Sequence, residues 1–246
     1  MKEVSIGIFS DIHGNLNALR QILKYFRSKN VDAVFHLGDV ICMGPRPAEC
    51  MDMLLCATNL TCILGNHDKD YLNDNTTPPL LSHVSREHKE FTFNLLGERY
   101  KDAVSRFPAL VVQNYNGLSV AFLHYAFARP SDKQRDKRAV FRPIEFDPST
   151  EKLDEMFADI PADMIFFGHQ HSPCEGVGRK IYCNVGSAGC FKQSMTRGAI
   201  LHVDREGNPT VEKFAVPYDR EATLAEMDAL EVPSADFIKD FYFSVD

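Results

Sequence analysis

Apolar residues in this chain come in short blocks that stop abruptly at small or polar residues. Val4 to Phe9 is a β-rich run that ends at Ser10-Asp11, and beyond a short loop Leu16, Leu19, Ile22, Leu23 and Phe26 recur at intervals of three and four. This predicts a strand, a loop and an amphipathic helix over 16–26. Val31 to Leu37 repeats the strand and ends at Gly38-Asp39; Gly44-Pro45-Arg46-Pro47 then breaks the chain before a helix over about 48–57. A third strand, Leu60 to Leu64, ends at Gly65-Asn66. Strand and helix alternating in this way are the signature of parallel β/α units.

The pattern then loosens. Tyr71 to Pro79 has no clear period, and Ser82 to Gly97 and Glu98 to Phe107 read as two helices, so that about 71–106 form a helical insertion across the sheet edge. Phe107 to Gln113 and Leu118 to Leu123 flank the turn residues Asn114 to Gly117, a predicted hairpin whose second strand delivers His124. Between Ala126 and Pro148 the chain is rich in Arg, Lys, Asp and Pro, and the charged run Ser131 to Arg138 reads as a solvated loop. Glu151 to Ala158 is a predicted helix and Met164 to Phe167 a strand. From there to about Phe214 short strands alternate with turns, which predicts a second, mostly antiparallel sheet. Asp219 to Leu230 is the last predicted helix. The aromatic stretch Phe237, Ile238, Phe241, Tyr242 and Phe243 stands as core cover or as a contact surface. No internal repeat divides the chain, and one domain over 1–246 is expected.

Composition narrows the partners. A net charge of −7 and a pI near 5.7 argue against a surface for the phosphate backbone of long nucleic acid, which needs clustered Lys and Arg. The seven cysteines form no CxxC pair and are expected as reduced, packed thiols. No apolar stretch approaches the roughly 18 to 20 residues needed to span a bilayer, so a soluble, cytoplasmic protein without a membrane partner is expected. Oligomeric state is not legible in the sequence.

The chemistry sits where the strands stop. Asp11-Ile12-His13, Gly38-Asp39, Gly65-Asn66-His67-Asp68 and Gly168-His169-Gln170-His171 each close a predicted strand, and His124 closes another. A parallel sheet brings such tips together along one edge. Carboxylate, imidazole and amide oxygen together suit a borderline metal in five or six coordination, whereas a structural zinc is held by thiolates in a closed tetrahedron. The one-residue spacing in Asp11-x-His13 and in His169-x-His171 lets both side chains of a pair point one way. Asp39 has two oxygens to bridge two ions, Asn66 offers a neutral oxygen, and His67 is left free for proton transfer. Two cations about 3.5 to 4 Å apart hold a shared hydroxide and polarise a phosphoryl group, and phosphate ester hydrolysis is the reaction that most needs that charge.

Asp-x-His, Gly-Asp, Gly-Asn-His-Asp, a lone His and Gly-His-x-His, in that order, resemble the calcineurin-like metallophosphoesterase superfamily. Ser10-Asp11-Ile12-His13-Gly14-Asn15-Leu16 and Gly44-Pro45-x-Pro47-x-Glu49-Cys50 resemble its small prokaryotic phosphodiesterase branch. The resemblance implies a four-layer α/β/β/α sandwich with a dinuclear site at the strand ends. It further implies that Asp11, His13 and His171 hold one ion, that Asn66, His124 and His169 hold the other, and that Asp39 bridges them. His67 would then be the general acid, oriented by Asp68. Asn15, Asn66, His67 and Arg129 are the candidate substrate contacts; Asn15 stands equally as a helix cap, and Arg129, with Tyr125 and Phe127, equally as packing. The two divalent ions are manganese, iron, nickel, cobalt or zinc, all of which a mixed N/O set accepts. A small phosphodiester is the expected substrate, followed by phosphomonoesters and dinucleoside polyphosphates. The alternative is a scaffold that keeps the fold without the chemistry, as is known for a member of this superfamily in membrane-coat assembly. One departure from the family pattern lies outside the metal motifs: Gly186-Ser187-Ala188-Gly189 is followed by Cys190-Phe191-Lys192-Gln193 in place of a string rich in Gln and Arg.

Overall fold

The computed structural model describes residues 2–77, 84–129, 132 and 140–243. In chain order the elements begin with β1 (Val4–Phe9), α1 (Leu16–Ser28), β2 (Ala33–His36), α2 (Pro47–Leu55), β3 (Leu60–Cys62) and α3 (Asn66–Leu72). The middle comprises α4 (Arg86–Leu96), α5 (Lys101–Val104), β4 (Leu110–Tyr115), β5 (Leu118–Leu123), α6 (Thr150–Met156) and β6 (Met164–Phe167). After these come β7 (Cys174–Val177), β8 (Ile181–Asn184), β9 (Met195–Val203), β10 (Pro209–Pro217), α7 (Arg220–Ala229) and α8 (Ala235–Ile238), and a π-helical turn over Lys239–Phe243 closes the described chain.

Two five-stranded sheets pack face to face, ordered β10-β9-β1-β2-β3 and β4-β5-β6-β8-β7. The period-2 alternation of side chains sorts them into three separate cores. Ile6 and Ile8 of β1, Phe35 of β2, Val120 and Phe122 of β5 and Met164 and Phe166 of β6 fill the space between the sheets. There the rings of Phe35 and Phe122 stack with centroids 3.8 Å apart. On the outer face of the first sheet Phe9 and Val34 meet Leu19, Ile22 and Phe26 of α1 and Met51 and Leu54 of α2. Beyond the second sheet Ala121, Leu123, Ile165 and Phe167 meet Leu153, Met156 and Phe157. Three cores separate four layers, the α/β/β/α order.

The sheets differ from the expected division. β9 and β10 do not extend the second sheet; β9 pairs antiparallel with β1, Ile8 opposite Ala199, which makes the first sheet mixed. The second sheet is not mostly antiparallel, since β6 runs parallel to both β5 and β8. The physical reason is burial: Ala199, Leu201 and Val203 alternate into the space between the sheets while Ile200 faces the outer core. A strand buried on both faces needs a central place, and the flank of β1 supplies it.

The hairpin β4–β5 turns at Asn116-Gly117, both with positive φ, as a tight two-residue turn requires. In the expected insertion, Phe93, Leu96, Tyr100 and Val104 join the core of α1 and α2, so these helices extend an existing layer. The predicted start of that helix at 82 and 83 lies outside the described residues, as does the charged run 131–138 apart from Asp132. At the C-terminus Ile238 and Phe243 are core residues. All seven cysteines are free, and among the described residues no helix is long and apolar enough to cross a membrane.

Candidate metal centre

The turns after β1, β2, β5 and β6 and the start of α3 after β3 converge at one end of the sandwich. The turn residues adopt an unusual backbone: φ is +54° at Asp11, +48° at His13, +61° at Asp39, +72° at His169 and +62° at His171. Left-handed φ is uncommon outside glycine, and it clusters where function demands a side-chain direction that a relaxed backbone does not give. Close approach of the turns also needs glycine at two positions. A Cβ on Gly65 would lie 2.1 Å from Asp39 Oδ1, and one on Gly168 would lie 2.0 Å from Ser10 Oγ.

The expected ligands fall into two groups around Asp39. In the first, His13 Nε2 and His171 Nε2 are 3.0 Å apart, and Asp11 Oδ1 is 3.8 Å from the one and 3.5 Å from the other. In the second, His124 Nε2 lies 3.1 Å from both Asn66 Oδ1 and His169 Nδ1. Asp39 Oδ2 stands between the groups, 4.0 Å from His13 Nε2 and 3.3 Å from His124 Nε2.

This donor set fits divalent cations. His13 Nδ1–H donates to Ile41 O at 3.0 Å and His124 Nδ1–H to Leu37 O at 2.8 Å. Backbone carbonyls of this kind fix a ring and leave Nε2 as the ligand atom. Asn66 Oδ1 faces other acceptors; turning the amide would convert these contacts to hydrogen bonds, whereas a cation satisfies them as they stand. Burial pushes His13 down to about 4 and His169 down to about 3, which keeps both in the neutral form a metal requires. Burial also works against a charge on His124, but the adjacent Asp39 carboxylate wins and pushes it up to about 9. His124 Nε2 would hold a cation in place of that proton.

Aromatic rings wall the second group. Tyr125 packs on His169 with centroids 4.9 Å apart, and Phe141 sits edge-on to His124 at 5.2 Å. The Tyr125 hydroxyl accepts the Glu145 backbone N–H at 2.9 Å, so this ring is a buried support.

Two expectations need correction. Asp68 does not orient His67: its carboxylate accepts the backbone N–H groups of Asp39 at 2.9 Å, Val40 at 3.0 Å and Gly65 at 3.1 Å, while His67 Nδ1 is buried with no hydrogen-bond partner. Burial and the nearby Asp39 charge push Asp68 up to about 7, against three donors that favour its anion. Of the two roles open to Asn15, the structure shows the helix cap. It is fully buried, accepts Ala18 N–H at 3.1 Å and donates to Gly189 O at 2.8 Å. Arg129 points its guanidinium at Asp159, 2.8 Å away, and at Glu155, 3.4 Å away, because those acids lie on and beside α6. Asn66 and His67 stay at the centre, the His67 ring lying 5.4 Å from that of His13.

Two residues here carry no motif. Cys190 brings its sulfur close to His13 and His171, and Tyr242 of the C-terminal turn packs on His171 at 5.5 Å. The break in the family string at Cys190 and the aromatic C-terminal stretch were the available signals.

The sequence profile of the calcineurin-like phosphoesterases matches residues 4–173. The uncharacterized protein MJ0912 of Methanocaldococcus jannaschii is 27% identical over 181 residues, 70% of this chain and 65% of its own length. The chain thus spans just under two thirds of that curated relative. Among solved structures, a metallophosphoesterase from Sphaerobacter thermophilus superposes with a TM-score of 0.71 at 21% identity, over 96% of this chain and 97% of its own. The hypothetical protein PH1004 from Pyrococcus horikoshii OT3 does so with a TM-score of 0.78 at 16% identity, over 99% of both chains.

Proposed function

The chain belongs to the calcineurin-like phosphoesterase family, and we propose that it hydrolyses small phosphodiesters with two divalent cations held by Asp11, His13, Asp39, Asn66, His124, His169 and His171. The observation that carries this reading is the place of Asp39 Oδ2, within 4.0 Å of a ligand nitrogen in each of the two groups. A single carboxylate oxygen so placed suits two adjacent ions better than one.

When bound, the cations activate water and offset the charge that develops on the phosphoryl oxygens. The chain's own residues do the rest. Asp39 is held by Asp68 through its backbone N–H and holds α3 in turn, since its Oδ1 accepts the His67 N–H at 2.9 Å. That fixes the His67 ring beside the first group. With Nδ1 enclosed, Nε2 is the atom that would give a proton to the leaving alkoxide; burial pushes this ring down to about 3, so it must take up that proton alongside the charge of the bound phosphate. Asn66, one residue earlier, presents its amide to the second group. The net charge of −7 favours small substrates over nucleic-acid polymers. Phosphomonoesters and dinucleoside polyphosphates are the next classes to try.

The scaffold reading predicts lost ligands, and none of these positions has lost its donor. The test is hydrolysis of a bis-nitrophenyl phosphodiester by metal-loaded protein. Turnover is expected to vanish with chelator, to return with added metal, and to fall by about 100-fold or more in Asp39→Ala, the scale of losing one transition-state charge stabiliser. A rate indifferent to both treatments rejects the proposal. Two bound ions with no turnover across a broad ester panel favour the scaffold.

A further inference from the structure

The loop after β8 holds a sulfur donor against the first ligand group. Ala188 N–H donates to Ser10 O at 2.8 Å and Gly189 N–H to Asp11 O at 3.0 Å. Ser187 Oγ donates to the same Asp11 carbonyl at 2.8 Å and accepts Cys190 N–H at 2.8 Å. Four hydrogen bonds therefore fix Cys190 relative to the Asp11–His13 turn. Its side chain is buried, and its sulfur and one ring nitrogen each of His13 and His171 all lie within 4.8 Å of one another. That spacing matches donors around one ion, where each sits about 2.0 to 2.3 Å from the metal.

A second observation points to the same place. Asp11 is fully buried; its Oδ2 accepts His169 N–H at 3.1 Å, but its Oδ1 has no hydrogen-bond partner. Oδ1 is 3.5 Å from His171 Nε2, too long for a hydrogen bond. A buried carboxylate oxygen left without a donor costs free energy unless a cation supplies the missing contact.

We propose that Cys190 is a ligand of the first ion, completing with Asp11, His13, His171 and the shared Asp39 a set of two oxygens, two nitrogens and one sulfur. The second position has nitrogen and oxygen donors only. The two positions are then unequal: a thiolate ligand favours zinc, cobalt or ferrous iron at the first over manganese or magnesium. As the sulfur–metal bond forms, the S–H bond breaks and its proton passes to water. The thiol faces Met43 Sδ at 3.6 Å. The inference rests on the two-cation reading above.

The test uses full-length protein loaded with cobalt(II). A thiolate-to-cobalt charge-transfer band is expected in the near ultraviolet, beside the visible ligand-field bands. Cys190→Ser is expected to abolish the charge-transfer band and keep the ligand-field bands, and to weaken zinc binding at one position by about tenfold or more. Cys56→Ser, on the surface, keeps both sets of bands. Should Cys190→Ser fail to fold, X-ray absorption at the cobalt edge of the natural protein decides, by counting sulfur neighbours: one sulfur shared over two ions supports the assignment. Two bound cobalt ions with no sulfur neighbour, or a charge-transfer band that survives Cys190→Ser, overturn it and leave the two-cation reading standing. No cobalt binding at all overturns both.

Discussion

Asp68 carries the turn that presents Asp39: its Oδ2 accepts Asp39 N–H at 2.9 Å while its Oδ1 accepts Val40 N–H at 3.0 Å. A carboxylate two elements away in sequence thus sets the direction of the side chain that stands between the two groups. Asp68→Asn keeps the shape but offers one acceptor oxygen to three backbone donors. A loss of about 1–3 kcal/mol in denaturant-induced unfolding is expected, together with weaker metal binding in calorimetry. Unchanged stability with a fall in kcat alone would instead point to action on His67.

Gly65 and Asp39 are so close that no side chain fits between them. Gly65→Ala places a carbon 2.1 Å from Asp39 Oδ1 and 2.3 Å from Asp39 N, and neither neighbour is the free end of a flexible chain. Overpacking of this kind costs about 1–3 kcal/mol. Elemental analysis of the variant is expected to find fewer than two ions per chain.

Asn15 joins three segments, since its Oδ1 also accepts the Thr223 hydroxyl at 3.2 Å. Asn15→Ala removes the cap of α1 and leaves Gly189 O without its donor. The expected cost is about 1–3 kcal/mol by thermal or chemical unfolding, with KM for the phosphodiester unchanged. A raised KM at unchanged stability would restore Asn15 as a substrate contact.

Glu155 gives a pH dependence away from the metal centre. The side-chain hydrogen bond from Lys152, then that from Arg142, lowers its carboxyl from 4.5 to about 2. A folded value below the unfolded one means that the unfolded chain takes up the proton first as pH falls. The contribution is therefore full above about 4.5 and is lost between 4.5 and about 2. Its 45% exposure keeps it under about 1 kcal/mol. The melting difference between the natural protein and Glu155→Gln is expected to be constant above 4.5 and to shrink below it; a difference that grows on acidification would reverse the sign.

Removing metal should destabilise the fold. Each site at a free ion concentration 100 times its dissociation constant adds about 2.7 kcal/mol. Chelator is expected to lower the melting temperature of the natural protein markedly and that of Asp39→Ala little. Equal shifts in the two would mean that the stabilising ion binds elsewhere.

Strand and helix positions near the site were legible because their signals are local. Met164–Phe167 and Leu118–Leu123 are the strands expected from their apolar runs, and α1 follows the three-and-four spacing of Leu16 to Phe26. Ligand candidates were legible because each ends such a run. The partner of β1 was not: the run from Met195 to Val203 reads as a strand in either sheet, and only packing both of its faces decides between them. Asp68 and Arg129 illustrate the same limit, since sequence neighbours fix which residues are near but not where a carboxylate or guanidinium turns.

The sequence by itself determined which donors this chain owns, in what order, and on which strand ends they stand, since hydrophobic period and abrupt polar stops are properties of short segments. Only the tertiary structure decided how those donors face one another. Side-chain direction at Asp11, His13, Asp39, His169 and His171 depends on left-handed backbone that isolated segments avoid and that contacts between distant turns impose. Cys190 is the clearest case, a thiol marked in its own segment only by a break in the family string and brought to His13 and His171 by hydrogen bonds to a turn 176 residues away.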